Sequence, residues 1–310
     1  MTLFLGVDGG QSSTRAVIGD ESGRILATGE GGPVEHIGAP QGRERVFRAL
    51  QESAGAACRQ LGRDLADTSF EAAFFGFTGA DAGKRAIVEE LIHARQIALS
   101  DDSVIALTGA LGGEPGVVTI AGTGSISFGR NQAGETARAG GWGYLFGDEG
   151  SAFDLARQAL RAALRFEEGW GPSTALHRML CEAVGLNDIR LVQRKLYSAE
   201  FPRKRIAALA LLVDEAARLQ DPVACSILEN AARDLAAITN VVRTRLFRRE
   251  ESVAIAYVGG VFRCGMLRSE FIRLLSSCGT NRLIAPLHDP AVGALIEAYR
   301  LAGARVLVSQ

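Results

Sequence analysis

The sequence is poor in lysine and has no metal-binding cysteine pattern. Only Lys84, Lys195 and Lys204 are lysines among the 34 basic side chains, and none stands in a GxxxxGK[ST] loop, which excludes a P-loop nucleotide site. The five cysteines are scattered, form no CxxC pair and have no histidines at metal-ligand spacing. A disulfide framework, a zinc site and an iron–sulfur cluster are therefore not expected.

The chain also lacks an excess of charge of one sign and lacks a long apolar run. The 34 basic and 35 acidic residues leave a formal charge of −1, so nothing favours nucleic acid or an anionic membrane as partner. Runs such as Ala207–Val213 and Val253–Val258 are far shorter than the roughly 20 residues that span a bilayer. The opening segment MTLFLGVDGG has no basic region before its apolar stretch, unlike an export signal. We expect a cytoplasmic protein with small-molecule partners.

The order of predicted elements indicates two α/β domains. The first 112 residues read as β-β-β-α-β-α-β-α, and the glycine-rich segment Gly112–Gly116 then interrupts the pattern. Strands over Val117–Ala121 and Ile126–Gly129 restart it, and a long helical region is predicted over 151–246. With 310 residues the chain is long enough for two cores. The predicted domains are 1–115 and 116–310, the second with a helical insertion.

Three glycine-rich loops follow predicted strands. They are Asp8–Thr14, Gly122–Ser125 and Gly259–Val261. Glycines let backbone N–H groups turn toward one point, and hydroxyl groups add donors, which is how proteins hold phosphate. A single loop of this kind is common in hairpins. Three of them, with an aspartate at the first strand end and a domain break between the first two, predict phosphate binding.

Six segments resemble a known family. They are similar to motifs of the actin/hexokinase/Hsp70-like ATPases and, within that superfamily, of the BadF/BadG-type N-acetylglucosamine kinase-like family. The segment GGWGYLFGDEGS is the most specific match, since it resembles the sugar-side signature of N-acetylglucosamine kinases. The matching segments are LGVDGGQSSTR at 5–15, GFTGAD at 76–81, IAGTGS at 120–125, GGWGYLFGDEGS at 140–151, VGGV at 258–261 and PLHDPAVGA at 286–294.

The resemblance implies a fold, a reaction and ligands. The fold is two ribonuclease-H-like domains of the actin/hexokinase type, flanking an interdomain cleft. The reaction is ATP-dependent phosphorylation of an amino sugar at the 6-hydroxyl, with N-acetylglucosamine as the first candidate and glucosamine, N-acetylmuramate or glucose as alternatives. ATP and Mg²⁺ are the implied cofactors, and we expect a homodimer. An ATPase activator is a remoter alternative that would need cluster-binding cysteines, and a non-catalytic sugar sensor would need no base.

The resemblance also places the phosphate and metal contacts. Asp8 is the implied Mg²⁺ ligand, through water, although a turn-capping aspartate would read the same way. The residues expected to bind the nucleotide are Gly9, Gly10, Gln11, Ser12, Thr14, Thr123, Gly124, Gly259 and Gly260.

Two neighbouring aspartates compete for the role of general base. In the family that this chain resembles, the second position of the pair lies against the sugar 6-hydroxyl, which makes Asp102 the candidate base. Asp101 stands where asparagine is frequent and is expected to cap the following helix with its carboxylate.

The implied sugar contacts come from both halves of the chain. Trp142 offers an indole face to a pyranose and Asp148 accepts hydroxyl hydrogens, with Glu149 as a second acceptor. Ser151 and Asp154 also read as a capping box for the next helix. The full set of expected substrate residues is Thr78, Gly79, Asp102, Gly141, Trp142, Gly143, Asp148 and His36, of which the loop residue His36 could equally be plain surface.

Overall fold

The structure is a computed structural model with two compact units. One unit comprises Met1–Pro115 and Ala285–Gln310, and the other comprises Gly116–Ile284. The residues that the structure describes are 1–10, 13–34, 41–79, 82–277 and 279–309.

The first unit contains a five-stranded mixed sheet in the order β3-β2-β1-β4-β5. The first three strands form an antiparallel meander, and β1, β4 and β5 run parallel to one another. Parallel neighbours end at the same edge of the sheet, so the segments that follow β1, β4 and β5 meet there. The strands are β1 (Leu3–Gly9), β2 (Thr14–Asp20), β3 (Ile25–Gly31), β4 (Ser69–Phe77) and β5 (His93–Asp101).

Helices cover both faces of this sheet. Apolar residues of one helix, α1, pack with β1, β2 and β4 in a core that includes Leu50 and Phe75. The opposite face is covered by a helix at the end of the chain, α11, through Leu295 and Tyr299. A short 3-10 helix spans Leu65–Asp67. The helices of this unit are α1 (Gly42–Gln60), α2 (Ala82–Leu91), α3 (Asp102–Leu111) and α11 (Pro290–Leu301).

The last 26 residues differ from the sequence-based domain division. The sequence assigned 116–310 to the second domain, whereas Ala285–Gln310 belongs to the first unit. Helix α11 crosses β1 so closely that a Cβ on Gly6 would lie 2.1 Å from the backbone nitrogen of Leu295. The apolar face of a helix predicts burial, but it carries no information about which sheet will bury it.

The second unit repeats the arrangement with the order β10-β9-β6-β7-β8. Strand β6 pairs with β9 in parallel and with β7 antiparallel. The sequence analysis did not predict β8, which is only five residues long, contains small alanine and glycine residues, and has no fully buried residue. The strands are β6 (Gly116–Ala121), β7 (Ser125–Arg130), β8 (Thr136–Gly140), β9 (Val253–Val258) and β10 (Asn281–Ile284).

The predicted helical region consists of six helices between β8 and β9. The longest, α9, buries the apolar stripe that includes Ile227, Leu228 and Leu235 within its own unit. A 3-10 helix (Gly260–Arg263) follows β9. None of the described helices is long and apolar enough to cross a membrane. The helices of this unit are α4 (Ala152–Glu167), α5 (Leu176–Val184), α6 (Ile189–Leu196), α7 (Arg203–Ala208), α8 (Ala210–Arg218), α9 (Pro222–Leu246) and α10 (Gly265–Ser276).

Candidate active site

The candidate base lies at the shared strand edge of the first unit. The Thr78 hydroxyl, just after β4, donates a 2.6 Å hydrogen bond to Oδ2 of Asp102, the first residue of α3. The carbonyls of Thr78 and Gly79 in turn each accept a 2.7 Å hydrogen bond from Nζ of the fully buried Lys84. The sequence analysis assigned no role to Lys84, yet this ammonium group supports the segment that orients Asp102.

Asp101 does not do what the sequence predicted. It occupies the N-cap position of α3 with extended backbone angles, but its side chain makes no capping hydrogen bond. The side chain is exposed at the end of β5, while Asp102 is partly buried. The expected carboxylate cap is therefore absent, because occupying the N-cap position does not by itself turn the side chain toward the free N–H groups of the helix.

Asp8 carries a strongly perturbed carboxyl group at the end of β1. The pKa of Asp8 is raised from its ordinary value of 3.8 to about 7, mainly by burial and also by the carboxylates of Asp102 and Asp289, while Arg15 lowers it. The three charged groups that act on Asp8 all belong to its own unit. The negative charge around Asp8 is thus only partly compensated by protein groups.

Arg15 and Asp289 were not predicted as site residues, although Arg15 ends the segment LGVDGGQSSTR and Asp289 lies in PLHDPAVGA. Arg15 lies directly across from Asp8 in the β1–β2 ladder, and its Nη1 is 2.6 Å from Oδ2 of Asp289. The other oxygen of Asp289 accepts from the N–H of Val292 and caps α11. The sequence signal was the aspartate before proline in PLHDPAVGA, which is typical of a helix start.

The first glycine loop is described only in part. Gly9 is buried, and a Cβ there would lie 2.3 Å from the ring of Phe77, so this position excludes any larger side chain. Gly10 donates its N–H to the carbonyl of Ser13 and turns the chain. Thr14 is fully buried and donates its hydroxyl hydrogen to the carbonyl of Gly32, which favours a structural role over a phosphate contact. The other loop candidates, Gln11 and Ser12, and the candidate sugar contact His36 lie outside the described residues.

In the second unit, two glycine turns follow neighbouring parallel strands. The turn Gly122–Gly124, which includes the partly exposed Thr123, follows β6 and is closed by a hydrogen bond from the N–H of Gly122 to the carbonyl of Gly124. The turn at Gly259 and Gly260 follows β9, which pairs with β6 up to Val258. Gly259 has φ +114°, and a Cβ there would lie 2.3 Å from the carbonyl oxygen of Ala121. Only glycine fits at that crossing of the two turns.

The proposed sugar wall is an exposed loop in the second unit. The Trp142 indole is 67% exposed, and the guanidinium of Arg138 lies 5.3 Å from its ring centroid. Gly141 and Gly143 flank it with left-handed φ values of +72° and +82°. The loop is joined to the turn after β6 because Ser125 donates its hydroxyl hydrogen to the carbonyl of Glu149.

Asp148 is buried and paired, which the sequence did not indicate. It adopts a left-handed backbone conformation with φ +62°, and only 4% of the residue is exposed. Its Oδ2 lies 2.5 Å from Nη2 of Arg203, while the adjacent Glu149 is exposed. The next helix is capped as predicted, since the Ser151 hydroxyl accepts from the N–H of Asp154.

No group of three or more metal-ligating side chains occurs within the part of the chain that the structure describes. Mg²⁺ is usually held by one or two carboxylates and keeps several waters, so the undercompensated charge at Asp8 fits that ion.

These features define the class of protein. Two five-stranded α/β sheets with glycine turns at the ends of their parallel strands are the actin/hexokinase-type fold. The chain belongs to the BadF/BadG/BcrA/BcrD ATPase family, whose model matches residues 5–298.

Two relatives and one solved structure show which enzymes this chain is similar to. An N-acetylmuramic acid/N-acetylglucosamine kinase of Clostridium acetobutylicum is 32% identical, covering 96% of this chain and 98% of its own. An N-acetyl-D-glucosamine kinase of Dictyostelium discoideum is 29% identical, and the match covers 96% of this chain and 97% of that kinase. A solved structure of a candidate N-acetylglucosamine kinase from Chromobacterium violaceum superposes with a TM-score of 0.80 at 28% identity. The superposition covers 97% of this chain and 99% of that structure's chain.

Proposed function

We propose that this chain is an ATP-dependent kinase that phosphorylates an amino sugar at its 6-hydroxyl, with N-acetylglucosamine as the first substrate candidate. The observation that carries the proposal is the Asp102 carboxylate, oriented by Thr78 at the strand edge beside Asp8. The names of the two curated relatives support the substrate class. A non-catalytic sensor would not need this arrangement.

Asp102 acts as the general base in this proposal. The attacking hydroxyl must lose its proton as the new P–O bond forms, and a carboxylate within hydrogen-bond reach both orients the hydroxyl and accepts the proton. Thr78 donates to Oδ2 and restrains the rotation of the carboxylate, so we assign proton transfer to Oδ1. Lys84 holds the Thr78–Gly79 backbone in place.

The remaining groups bind and orient the two substrates. Asp8 is the proposed Mg²⁺ ligand, and the bound ion would neutralise charge on the phosphates of ATP. Backbone N–H groups of the turns at Gly10, Thr123–Gly124 and Gly259–Gly260 are the proposed phosphate and nucleotide contacts. Trp142, Gly141, Gly143 and Asp148 are the proposed sugar contacts.

N-acetylmuramate is the second substrate candidate. The relative from Clostridium acetobutylicum is named for both sugars, and it shares 32% identity with this chain. N-acetylmuramate carries an added lactyl ether on the 3-oxygen, so accepting it requires space beside that carbon. The exposed loop around Trp142 is compatible with such space.

A panel assay tests the proposal. ADP release is coupled to a readout with N-acetylglucosamine, N-acetylmuramate, glucosamine and glucose, and ³¹P–¹H NMR identifies the phosphorylated carbon. The expected result is turnover of at least one N-acetylated sugar with phosphate on carbon 6. Turnover of none of the four sugars would contradict the proposed function, and phosphate on carbon 1 would contradict the assigned hydroxyl.

A homodimer in the cytoplasm remains an expectation of the proposal. The apolar stripe of α9 packs within its own unit. Sedimentation velocity of the purified chain measures the oligomeric state directly.

A further inference from the structure

We infer that Arg203 is a positioning residue that couples the sugar side of the second unit to its phosphate turn, an inference that rests on the proposed function. Arg203 is the first residue of the short helix α7 in the helical insertion. It lies far along the chain from both motifs, and no sequence pattern pointed to it. The structure places its guanidinium between them.

One guanidinium nitrogen serves both motifs. Nη2 of Arg203 lies 2.5 Å from Oδ2 of Asp148 and donates a longer, 3.4 Å hydrogen bond to the carbonyl of Thr123. Asp148 belongs to the sugar-side signature and Thr123 to the phosphate turn. If Asp148 or Thr123 shifts, the position of Nη2 changes, and with it the hydrogen bond that Nη2 makes to the other residue.

Gly124 leaves room for this pair. A Cβ at Gly124 would lie 2.7 Å from Oδ2 of Asp148 and 3.0 Å from Nη2 of Arg203. The ion pair thus packs directly against the backbone of the phosphate turn. The glycine has a packing reason to be there besides the flexibility of the turn.

Aromatic rings fix the guanidinium. Its central carbon lies 5.0 Å from the ring centroid of Tyr144 and 6.0 Å from that of Phe153. The two rings contact each other edge to face at 4.9 Å. Tyr144 is part of the sugar-side loop and Phe153 lies in the first turn of α4. The two neighbouring rings therefore pack against the guanidinium and restrict its position beside Asp148.

The pair is not arranged for stability alone. Nε of Arg203 is buried and has no hydrogen-bond partner among the described residues, although arginine commonly binds a carboxylate through two nitrogens. An unsatisfied buried donor costs free energy, and a purely structural pair would avoid that cost by a two-point contact. The single-point contact instead leaves Nη2 able to reach Asp148 and Thr123 together.

The test is the affinity for Mg-AMPPNP, measured by calorimetry with and without saturating N-acetylglucosamine. Arg203→Met should weaken sugar-free nucleotide binding by about 10- to 100-fold, because losing a hydrogen bond to a charged group has effects of that order. It should also reduce the change in nucleotide affinity that the sugar produces. Arg203→Lys should not restore either value, since an ammonium group lacks the planar fork and the stacking of a guanidinium.

The sign of the Asp148→Asn effect separates positioning from direct contact. If Arg203 acts through Asp148, Asp148→Asn weakens nucleotide binding in the absence of sugar. The double variant then binds the nucleotide no more weakly than the single variant that has the lower affinity. If Arg203 instead binds a phosphate itself, Asp148→Asn frees the guanidinium and tightens nucleotide binding. Tighter binding, or unchanged nucleotide affinity in Arg203→Met, would overturn the inference.

The matched control is Arg205→Met. Arg205 is exposed on the same helix, where it stacks on Phe201 and donates to the carbonyl of Glu200. This variant should keep the wild-type nucleotide affinity and the wild-type sugar effect. Melting temperatures of all variants identify any that fail to fold, and Asp148→Asn provides the second route if Arg203→Met is one of them. Lack of sugar turnover by the wild type would count against the proposed function alone, because the sugar-free nucleotide measurement does not require turnover.

Discussion

Thr78 and Asp102 are hydrogen-bonded at 2.6 Å although they are 24 residues apart in the sequence. The bond exists because β4 and β5 are parallel neighbours, with Phe77 beside Asp101 in the register. It also distinguishes two adjacent aspartates, because Asp102 is oriented by a hydroxyl group while Asp101 is exposed and makes no capping bond.

We predict that Asp102→Asn lowers kcat by about 10² to 10⁴ while the dissociation constants of sugar and Mg-ATP change only a few-fold. Asparagine keeps the size and some hydrogen bonding of aspartate but cannot accept the proton, and loss of a general base has effects of that order. Steady-state kinetics with the active sugar of the panel, together with calorimetric titrations, measure the two effects separately.

Asp101→Asn is the matched control and should be nearly silent. The structure supplies the reason, which is that the Asp101 side chain makes no capping bond that asparagine could lose. An inactive Asp101→Asn enzyme beside a fully active Asp102→Asn enzyme would show that the wrong aspartate has been named. Full activity in both variants would remove the general base from the mechanism.

We predict that Trp142→Ala weakens sugar binding by roughly tenfold and leaves nucleotide binding in the absence of sugar unchanged. The exposed indole is assigned to the pyranose alone, and aromatic stacking contributes about 0.5 to 1.5 kcal/mol. Trp170→Ala is the control, because Trp170 is 65% exposed and also has an arginine, Arg165, over its ring at 4.7 Å. Equal loss of sugar and nucleotide affinity in Trp142→Ala would move Trp142 from the sugar wall to a structural role.

We predict that Asp8→Asn makes the protein more stable at pH 8 than the wild type, with little difference at pH 4. The folded-state pKa of Asp8 is raised from 3.8 to about 7, so between these values the folded protein holds a proton that the unfolded chain has released. The contribution of Asp8 to stability therefore falls as the pH rises from about 4 to about 7, by up to about 4 kcal/mol.

Urea unfolding in the presence of EDTA at several pH values measures this difference. The exposed Asp67→Asn is the control and should follow the wild type throughout. If the free energy of unfolding of Asp8→Asn had the same pH dependence as that of the wild type, the pKa of Asp8 would not be raised in the folded protein.

We predict that Arg243→Met lowers the free energy of unfolding by at least about 3 kcal/mol. Arg243 is 2% exposed, and its guanidinium donates to several carbonyls of the segment after α9 and to side chains near β10, all of which lose their donor. Its acceptors are Phe247 O, Arg248 O, Arg249 O, Glu251 O, Thr280 Oγ1 and Asn281 Oδ1.

Arg245→Met, on the exposed side of the same helix, is the control for Arg243 and should change stability little. Thermal and urea unfolding of the two variants give the comparison. Equal stability of both would mean that water replaces the guanidinium without cost.

Local structure was predictable from the sequence because its causes are local. The apolar runs of β1, β4 and β9, the glycine turns after them and the Ser151 cap of α4 all follow from side-chain period and backbone freedom. The family also followed from its motifs, since the family model matches residues 5–298. The short strand β8 was missed because three of its five residues are alanine or glycine, which do not favour a strand.

The sequence by itself determined the two-sheet α/β class and the carboxylates and glycines available for chemistry. Only the tertiary structure decided which distant groups act together, as in the Arg15–Asp289 pair, 274 residues apart, and the Arg203–Asp148 pair, 55 residues apart. It also decided that residues from Ala285 onward pack on the first sheet. The physical reason is that a periodic pattern states how much of an element is buried, whereas the choice of burial partner depends on the fit and charge of surfaces far apart in the chain.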